Sequence, residues 1–305
     1  MQNALIQMLV LMLLGASWRG FSPNQLHSAQ TRQVLTTAIY YYFLPAMVLL
    51  VLWPAKIGLE SLQISLVGCS SIALAVLCSW IIVKILKIAN PQAGAIILAA
   101  SFPNVTYLGL PVLEQTFGIE ARSVVIQMDL FAAAPMVFSL GIAISKYYGS
   151  QSSGTHISWL TGFNTPPFWA MLIAVVLGYF HIDMPKPVFT LLQTMANAVA
   201  PLMIFALGLA LSLKGLRWRY MHLIVLILMM KLLLQPFWSM MMTDWMGVVG
   251  SWRAPGIMDI AMPSMVLGIV FCDRYQLDSS LYAVSVTLST LCSMFSLPIW
   301  YGILT

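Results

Sequence analysis

The sequence predicts an all-α, polytopic membrane protein: ten transmembrane helices in two inverted five-helix repeats, with the fourth and ninth helices broken. Three observations carry that prediction. The composition is too apolar for water, the apolar runs recur at membrane-spanning length, and the prolines recur in register between the two halves.

Of the 305 residues, 60% are hydrophobic and 8% charged, and the mean hydropathy is +0.90. A soluble domain carries roughly 25% charged residues, so most of this surface faces something other than water, and a lipid bilayer is the solvent that fits. A span needs ~20 apolar residues, which allows about ten or eleven spans on this length. The four cysteines, Cys69, Cys78, Cys272 and Cys292, all lie inside apolar stretches without a CxxC spacing, and no secreted disulfide framework is suggested. The net charge of +5 comes from basic residues scattered between apolar runs, a pattern of membrane orientation and not of nucleic-acid binding. The first run, Met1 to Gly15, lacks a basic n-region and is read as a retained span and not a cleaved signal.

The spans fall near 2–18, 34–54, 62–86, 91–117, 122–147, 166–182, 187–213, 220–243, 252–274 and 278–303. The Ser/Gly/Thr-rich stretch 149–165 is a linker at the centre of the chain, dividing an N-terminal repeat (1–148) from a C-terminal one (166–305). Alternate loops hold nine positive charges on one side (Arg19, Arg32, Lys84, Lys87, Lys146, Lys214, Arg217, Arg219, Arg274) and four on the other (Lys56, Arg122, Lys186, Arg253), with Lys231 inside span eight. Cytoplasmic loops are the richer in Lys and Arg, so both termini are expected outside the cytoplasm.

Three matches between the halves run in order. Met8-Leu9-Val10 with Leu14-Gly15 resembles Met171-Leu172-Ile173 with Leu177-Gly178; Pro45-Ala46-Met47-Val48 resembles Pro201-Leu202-Met203-Ile204; and Pro103-Asn104 pairs with Pro263-Ser264. Pro135 pairs with Pro298. Pro45 to Pro103 is 58 residues and Pro201 to Pro263 is 62; Pro103 to Pro135 is 32 and Pro263 to Pro298 is 35. A unit of five spans is odd, so its second copy enters the membrane from the opposite side. Inverted repeats of this kind are a hallmark of secondary transporters, in which two near-equivalent conformations exchange.

Pro103 and Pro263 fall mid-span at matching positions. Proline removes a helix hydrogen bond, and in lipid the freed groups survive only where protein or a cavity covers them. The half-helix after each break opens with free N–H groups and partial positive charge, a setting suited to a carboxylate. Asn104, Thr106 and Ser264 follow the breaks; each can hydrogen-bond a solute or only satisfy the broken backbone.

The segment Phe102-Pro103-Asn104-Val105-Thr106-Tyr107-Leu108-Gly109-Leu110-Pro111, continuing to Phe117-Gly118, resembles the crossover helix of the auxin efflux carrier family, which includes plant PIN proteins and bacterial organic-acid permeases. Val105 departs from that family's pattern, which commonly has Thr. Asn197-Ala198 with Phe205-Ala206-Leu207-Gly208-Leu209, then Ala261-Met262-Pro263-Ser264, then Asp273-Arg274-Tyr275, agree in order, so the resemblance covers the whole chain. It implies a scaffold of helices 1, 2, 6 and 7 and a mobile domain of helices 3–5 and 8–10. It implies crossover helices 4 and 9 holding the substrate at Pro103, Asn104, Thr106, Pro263 and Ser264, with Asn197 on the scaffold side. Elevator-like movement of a small organic acid follows, malate- or malonate-like or of the indole-acetate type, in a bacterial inner membrane. A homodimer through the scaffold is a further implication, and no cofactor is implied.

Ionisable groups within spans are costly and usually functional. Asp129 lies in span five, Lys231 in span eight with Gln235 on the same helical face one turn on, and Asp259 one turn before Pro263. Each can also be structural. Lys231 can neutralise a carboxylate or pair with Asp129; Asp259 can cap a half-helix opening after Pro255; Asp129 can carry a proton with the solute. His27, His156, His181 and His222 are unclustered, so no metal site is expected, and neither GxSxG, HExxH nor a phosphate loop is present. A transporter therefore leads; a membrane enzyme lacks a catalytic cluster. The remaining alternative is a receptor or channel-like protein that binds an organic acid without active transport.

Overall fold

The computed structural model describes residues 2–21, 26–54, 58–149, 166–211, 220–248 and 250–305. The linker stretch 150–165, with His156, and the charges Lys56, Lys214, Arg217 and Arg219 lie outside the described residues. The described chain is helical: α1 (Gln2–Phe21), α2 (Ser28–Leu52), α3 (Leu59–Ile85), α4 (Asn90–Ser101), α5 (105–117), α6 (Ala121–Tyr148), α7 (Pro166–Tyr179), α8 (Lys186–Ala210), α9 (Met221–Trp245), α10 (Arg253–Ile260), α11 (Gly268–Arg274) and α12 (Ser279–Leu304). Six of these, α2, α3, α6, α8, α9 and α12, are long and apolar enough to cross a membrane, while α7 and the Leu9–Trp18 stretch of α1 are shorter apolar helices. Large apolar side chains stand exposed along them, Trp169, Val225, Phe295 and Ile299 among them, as lipid-facing surfaces require.

Helix ends differ from expectation where local chemistry decides. α2 begins six residues early, because the polar turn Ser28–Gln33 is helical without being apolar. α7 stops at Tyr179: His181 takes φ 52, and Ile182 N–H returns to Leu177 O at 3.0 Å. α5 ends at Gly118, whose φ of 91 suits glycine.

Prolines shape the helix interiors. Of the five π-turns among the described residues, four, Ile39–Phe43, Val105–Gly109, Asp129–Ala133 and Met230–Leu234, are each followed two residues on by proline (Pro45, Pro111, Pro135 and Pro236), and the fifth, Val137–Gly141, is not. Proline cannot donate to the carbonyl four residues back, and a widened turn accommodates the missing bond. Two of the freed carbonyls find side-chain donors: Trp300 Nε1 donates to Leu232 O at 2.8 Å, and the Cys69 thiol reaches Phe131 O at 3.9 Å.

Close backbone approach organises the packing. α1 lies along α8, where a methyl on Gly15 would collide with Phe205 O and one on Gly208 with Met12 O. α7 lies on α2, with Gly178 against Trp53 O and Trp53 Nε1 donating to Ile182 O at 2.7 Å. α3 packs on α4 and α9, joined by a 2.8 Å Ser71–Ser239 hydroxyl contact, and α12 packs on α4, α9, α10 and α11.

Candidate functional site

The two broken helices meet at their breaks. Segments 102–104 and 263–265 form an isolated antiparallel bridge, Pro103 opposite Ser264. Asn104 N–H donates to Pro263 O at 2.8 Å and Met265 N–H to Phe102 O at 3.0 Å. Each break thus supplies the partners the other lost, the condition on which irregular backbone persists at membrane depth.

The carbonyls at the ends of the preceding half-helices are satisfied from behind. Lys231 and Gln235, one turn apart on α9 and both fully buried, hydrogen-bond each other. Lys231 Nζ donates to Ile260 O at 2.9 Å, the last residue of α10; Gln235 Nε2 donates to Ser101 O at 2.7 Å, the last residue of α4. A cation at a helix C-terminus is favourably placed against the macrodipole. Lys231 makes these bonds behind the break, whereas Asp129 lies with Thr106.

In front of the break lies a cavity of ≈ 120 Å³. Pro103, Asn104, Thr106 and Asp129 line it, with Tyr40 and Tyr107, against apolar walls from α2, α6 and the 265–267 segment. No lysine or arginine is among its lining residues. Asn104 is 2% exposed; its side chain makes no capping bond, and Nδ2 has no hydrogen-bond partner. The Thr106 side chain lies within hydrogen-bonding reach of the half-buried Asp129. Tyr107, Val266 and Leu267 also border a second cavity of ≈ 340 Å³, which runs along α2 to Arg32 at its N-terminal end.

The matching break is built differently. Ser264 is fully buried, its Oγ donates to Ala99 O at 2.6 Å, and its N–H donates to Ser289 Oγ at 3.2 Å. Pro263 gives its carbonyl to Asn104, and α11 starts only at Gly268, so α5 is the half-helix that opens directly at the break. Asp259 does not cap a first turn: it is the penultimate residue of α10 (Arg253–Ile260), at the end where a helix repels negative charge. It is fully buried, neither carboxylate oxygen has a hydrogen-bond partner, and it lies against Gly109 within electrostatic reach of Lys231 and Asp129. An unsatisfied buried carboxylate calls for a reason beyond stability.

Asn197 stands apart from this cavity. Its Oδ1 accepts from Gln193 Nε2 at 2.8 Å and from Arg122 Nη2 at 3.4 Å, and Arg122 pairs with Glu114 at 2.5 Å. Arg122, a loop charge by sequence, is 4% exposed. Its one sequence signal is its place as the first residue of an otherwise apolar span. Tyr40 and Tyr107 were not singled out either; a tyrosine in an apolar run carries no distinguishing pattern. Among the described residues no cluster of three metal-binding side chains occurs.

Comparison with known proteins finds membrane transporters. Residues 1–301 match the family model described as membrane transport protein. An uncharacterized transporter of Methanothermobacter thermautotrophicus is 29% identical over 208 residues, 68% of this chain and 67% of its own length. The uncharacterized transporter MJ1031 of Methanocaldococcus jannaschii is 24% identical over 223 residues, 72% of this chain and 71% of its own. The uncharacterized transporter YfdV of Escherichia coli is 23% identical over 227 residues, 71% of this chain and 70% of its own.

Proposed function

We propose that this chain, which belongs to the membrane transport protein family of the auxin efflux carriers, is a secondary transporter that moves small organic anions across a bacterial inner membrane. The observation that carries the reading is Asn104 Nδ2: a buried amide donor without a partner, on the wall of a cavity at the point where two broken helices meet. Beside it open the first N–H groups of α5, and donors of this kind hold a carboxylate.

Ten spans in two inverted repeats, with α4–α5 and α10–α11 as the crossover helices, belong to the same proposal. Packing supports it pair by pair. α1 on α8 has its counterpart in α7 on α2, α3 on α4 in α9 on α10, and α12 on α4 in α6 on α10. Contacts among α1, α2, α7 and α8 support a scaffold, with α3–α6 and α9–α12 as the elevator-like mobile group and a homodimer formed through the scaffold. In this reading both termini lie outside the cytoplasm, and the ≈ 340 Å³ cavity reaching Arg32 leads from the cytoplasmic face to the site. Asp129, the acid in the cavity, accompanies the solute with a proton.

The test is uptake of labelled malonate and indole-3-acetate by proteoliposomes, with wild type and Asn104→Ala side by side. Saturable accumulation against a gradient, lost in Asn104→Ala, is the expected result. Passive equilibration alone would replace the carrier with a channel. Folded protein that moves neither acid would overturn the organic-anion reading.

A further inference from the structure

The end of the molecule opposite Arg32 holds a cavity of ≈ 590 Å³. It is lined from the C-terminal end of α2, the first turns of α3, α6 and α8, and the segment before α10. The site at the break touches the middle of α2, at Tyr40 and Leu44, whereas this cavity touches its C-terminal end, and the two share no lining residue.

Arg122 lines this cavity, and its side chain is 5% exposed. A guanidinium has five N–H donors, and here one nitrogen does all the bonding. Nη2 serves both Glu114 Oε1 and Asn197 Oδ1, while Nε and Nη1 have no partner. Gln127, 7% exposed and lining the same cavity, donates to Ser123 Oγ at 2.9 Å and has its Oε1 unpartnered. A buried charge is tolerated when it is paired and its donors are met. Glu114 supplies the pairing and leaves most of the donors open.

We propose that Arg122 is a second carboxylate-binding subsite, at which the transported organic anion docks at the end of the protein away from Arg32. The proposal rests on the organic-anion reading and deepens it. Guanidinium is the side chain best matched to a carboxylate. Glu60 and Glu120, exposed at the rim, and Glu114 within oppose an anion, so the subsite is a weak station on the way and not a tight one. An arriving carboxylate competes with Glu114 for the guanidinium. It also competes with Asn197 on α8, whose 3.4 Å bond from Arg122 is the longest in the group and ties α6 to the proposed scaffold. Docking therefore loosens one tie between the two groups of helices.

The experiment measures KM for malonate and indole-3-acetate, presented separately to each face of proteoliposomes of one orientation. Arg122→Gln raises KM about tenfold or more at the face carrying the termini, the loss of a charge-assisted hydrogen bond, and leaves KM at the other face unchanged. Glu114→Gln, which frees the guanidinium, lowers KM at the termini face; a rise there would count against the subsite. Equal changes at both faces in Arg122→Gln and Arg122→Lys alike, or none, would overturn it. If wild type moves neither acid, equilibrium binding of the labelled acids to purified protein decides. Binding that survives Asn104→Ala and vanishes in a folded Arg122→Gln supports the subsite even as the transport reading fails; absence of binding overturns both.

Discussion

Gln235→Leu tests how the break is held. In the structure Gln235 donates to Ser101 O at 2.7 Å and accepts from Lys231, which also holds Ile260 O at 2.9 Å. Replacing Gln235 with leucine leaves a buried carbonyl unsatisfied, about 1–3 kcal/mol, and removes one of the ammonium's two acceptors, a further ~1.5–3 kcal/mol. The expected loss is about 3–6 kcal/mol. Lys231→Met also frees a carbonyl, but it removes the buried charge with it, so its expected cost is smaller, about 1–3 kcal/mol. The double variant leaves two unsatisfied carbonyls and no stranded ammonium, so its cost falls below the sum of the singles by roughly 2 kcal/mol. The assay is the apparent Tm of detergent-purified protein, followed by the monodisperse peak remaining after heating. At roughly 2 °C per kcal/mol for a chain of this size, Gln235→Leu lowers it on the order of 6–12 °C. Additive effects, or Lys231→Met costing as much as Gln235→Leu, would refute the idea that this pair caps both half-helices as a unit.

A methyl at Gly109 would collide with Asp259 Oδ1, so Gly109→Ala lowers Tm and transport together, and Asp259→Ala in the same chain restores Tm; a double variant no better than Gly109→Ala would break the link. If Asp129 carries a proton with the solute, uptake accelerates as pH falls on the loading side and Asp129→Asn flattens that profile; a pH-independent wild type removes the proton from the mechanism. Gly208→Leu drives a side chain into Met12 O and parts α1 from α8, costing about 3 kcal/mol, the upper end of the overpacking range, read as a lost monodisperse peak; wild-type behaviour would contradict the close approach. The cavity at the break has one unpartnered amide, an acid and apolar walls, so indole-3-acetate competes for uptake better than malonate; the reverse order in a competition assay would place the second carboxylate's partner elsewhere.

Much of this was legible because proline acts locally. Pro103 and Pro263 marked the breaks, and the i, i+4 spacing of Lys231 and Gln235 placed both on one face. Four of the five π-turns among the described residues follow a rule readable afterwards, since each precedes a proline by two residues; Val137–Gly141 does not. What escaped depends on distant partners. Arg122 looks like a loop charge until Glu114, across the turn at Gly118, and Asn197, on α8, close over it. Pro255 suggests a helix opening behind it with Asp259 as a cap, yet α10 starts at Arg253, which puts Asp259 at the other end. Pro103-Asn104 and Pro263-Ser264 look equivalent in sequence, and the difference between them lies in Ala99 O and Ser289, which only the fold brings to Ser264.

That difference shows how a site is recognised in a protein of this composition. At membrane depth a polar side chain is expensive, so most serve the backbone: Ser264, Lys231 and Gln235 each bond a carbonyl freed near a break. A group that serves no such purpose stands out by subtraction. Asn104 Nδ2, the Asp259 carboxylate and Arg122 Nε and Nη1 are among the buried groups in and around the broken helices that remain unsatisfied, as are Glu114 Oε2, Thr116 Oγ1 and Gln127 Oε1. Asn104 sits at the cavity at the break, Asp259 against Gly109, and Arg122 at the cavity at one end of the helices. A purely structural role for the breaks would have left Asn104 bonded as Ser264 is.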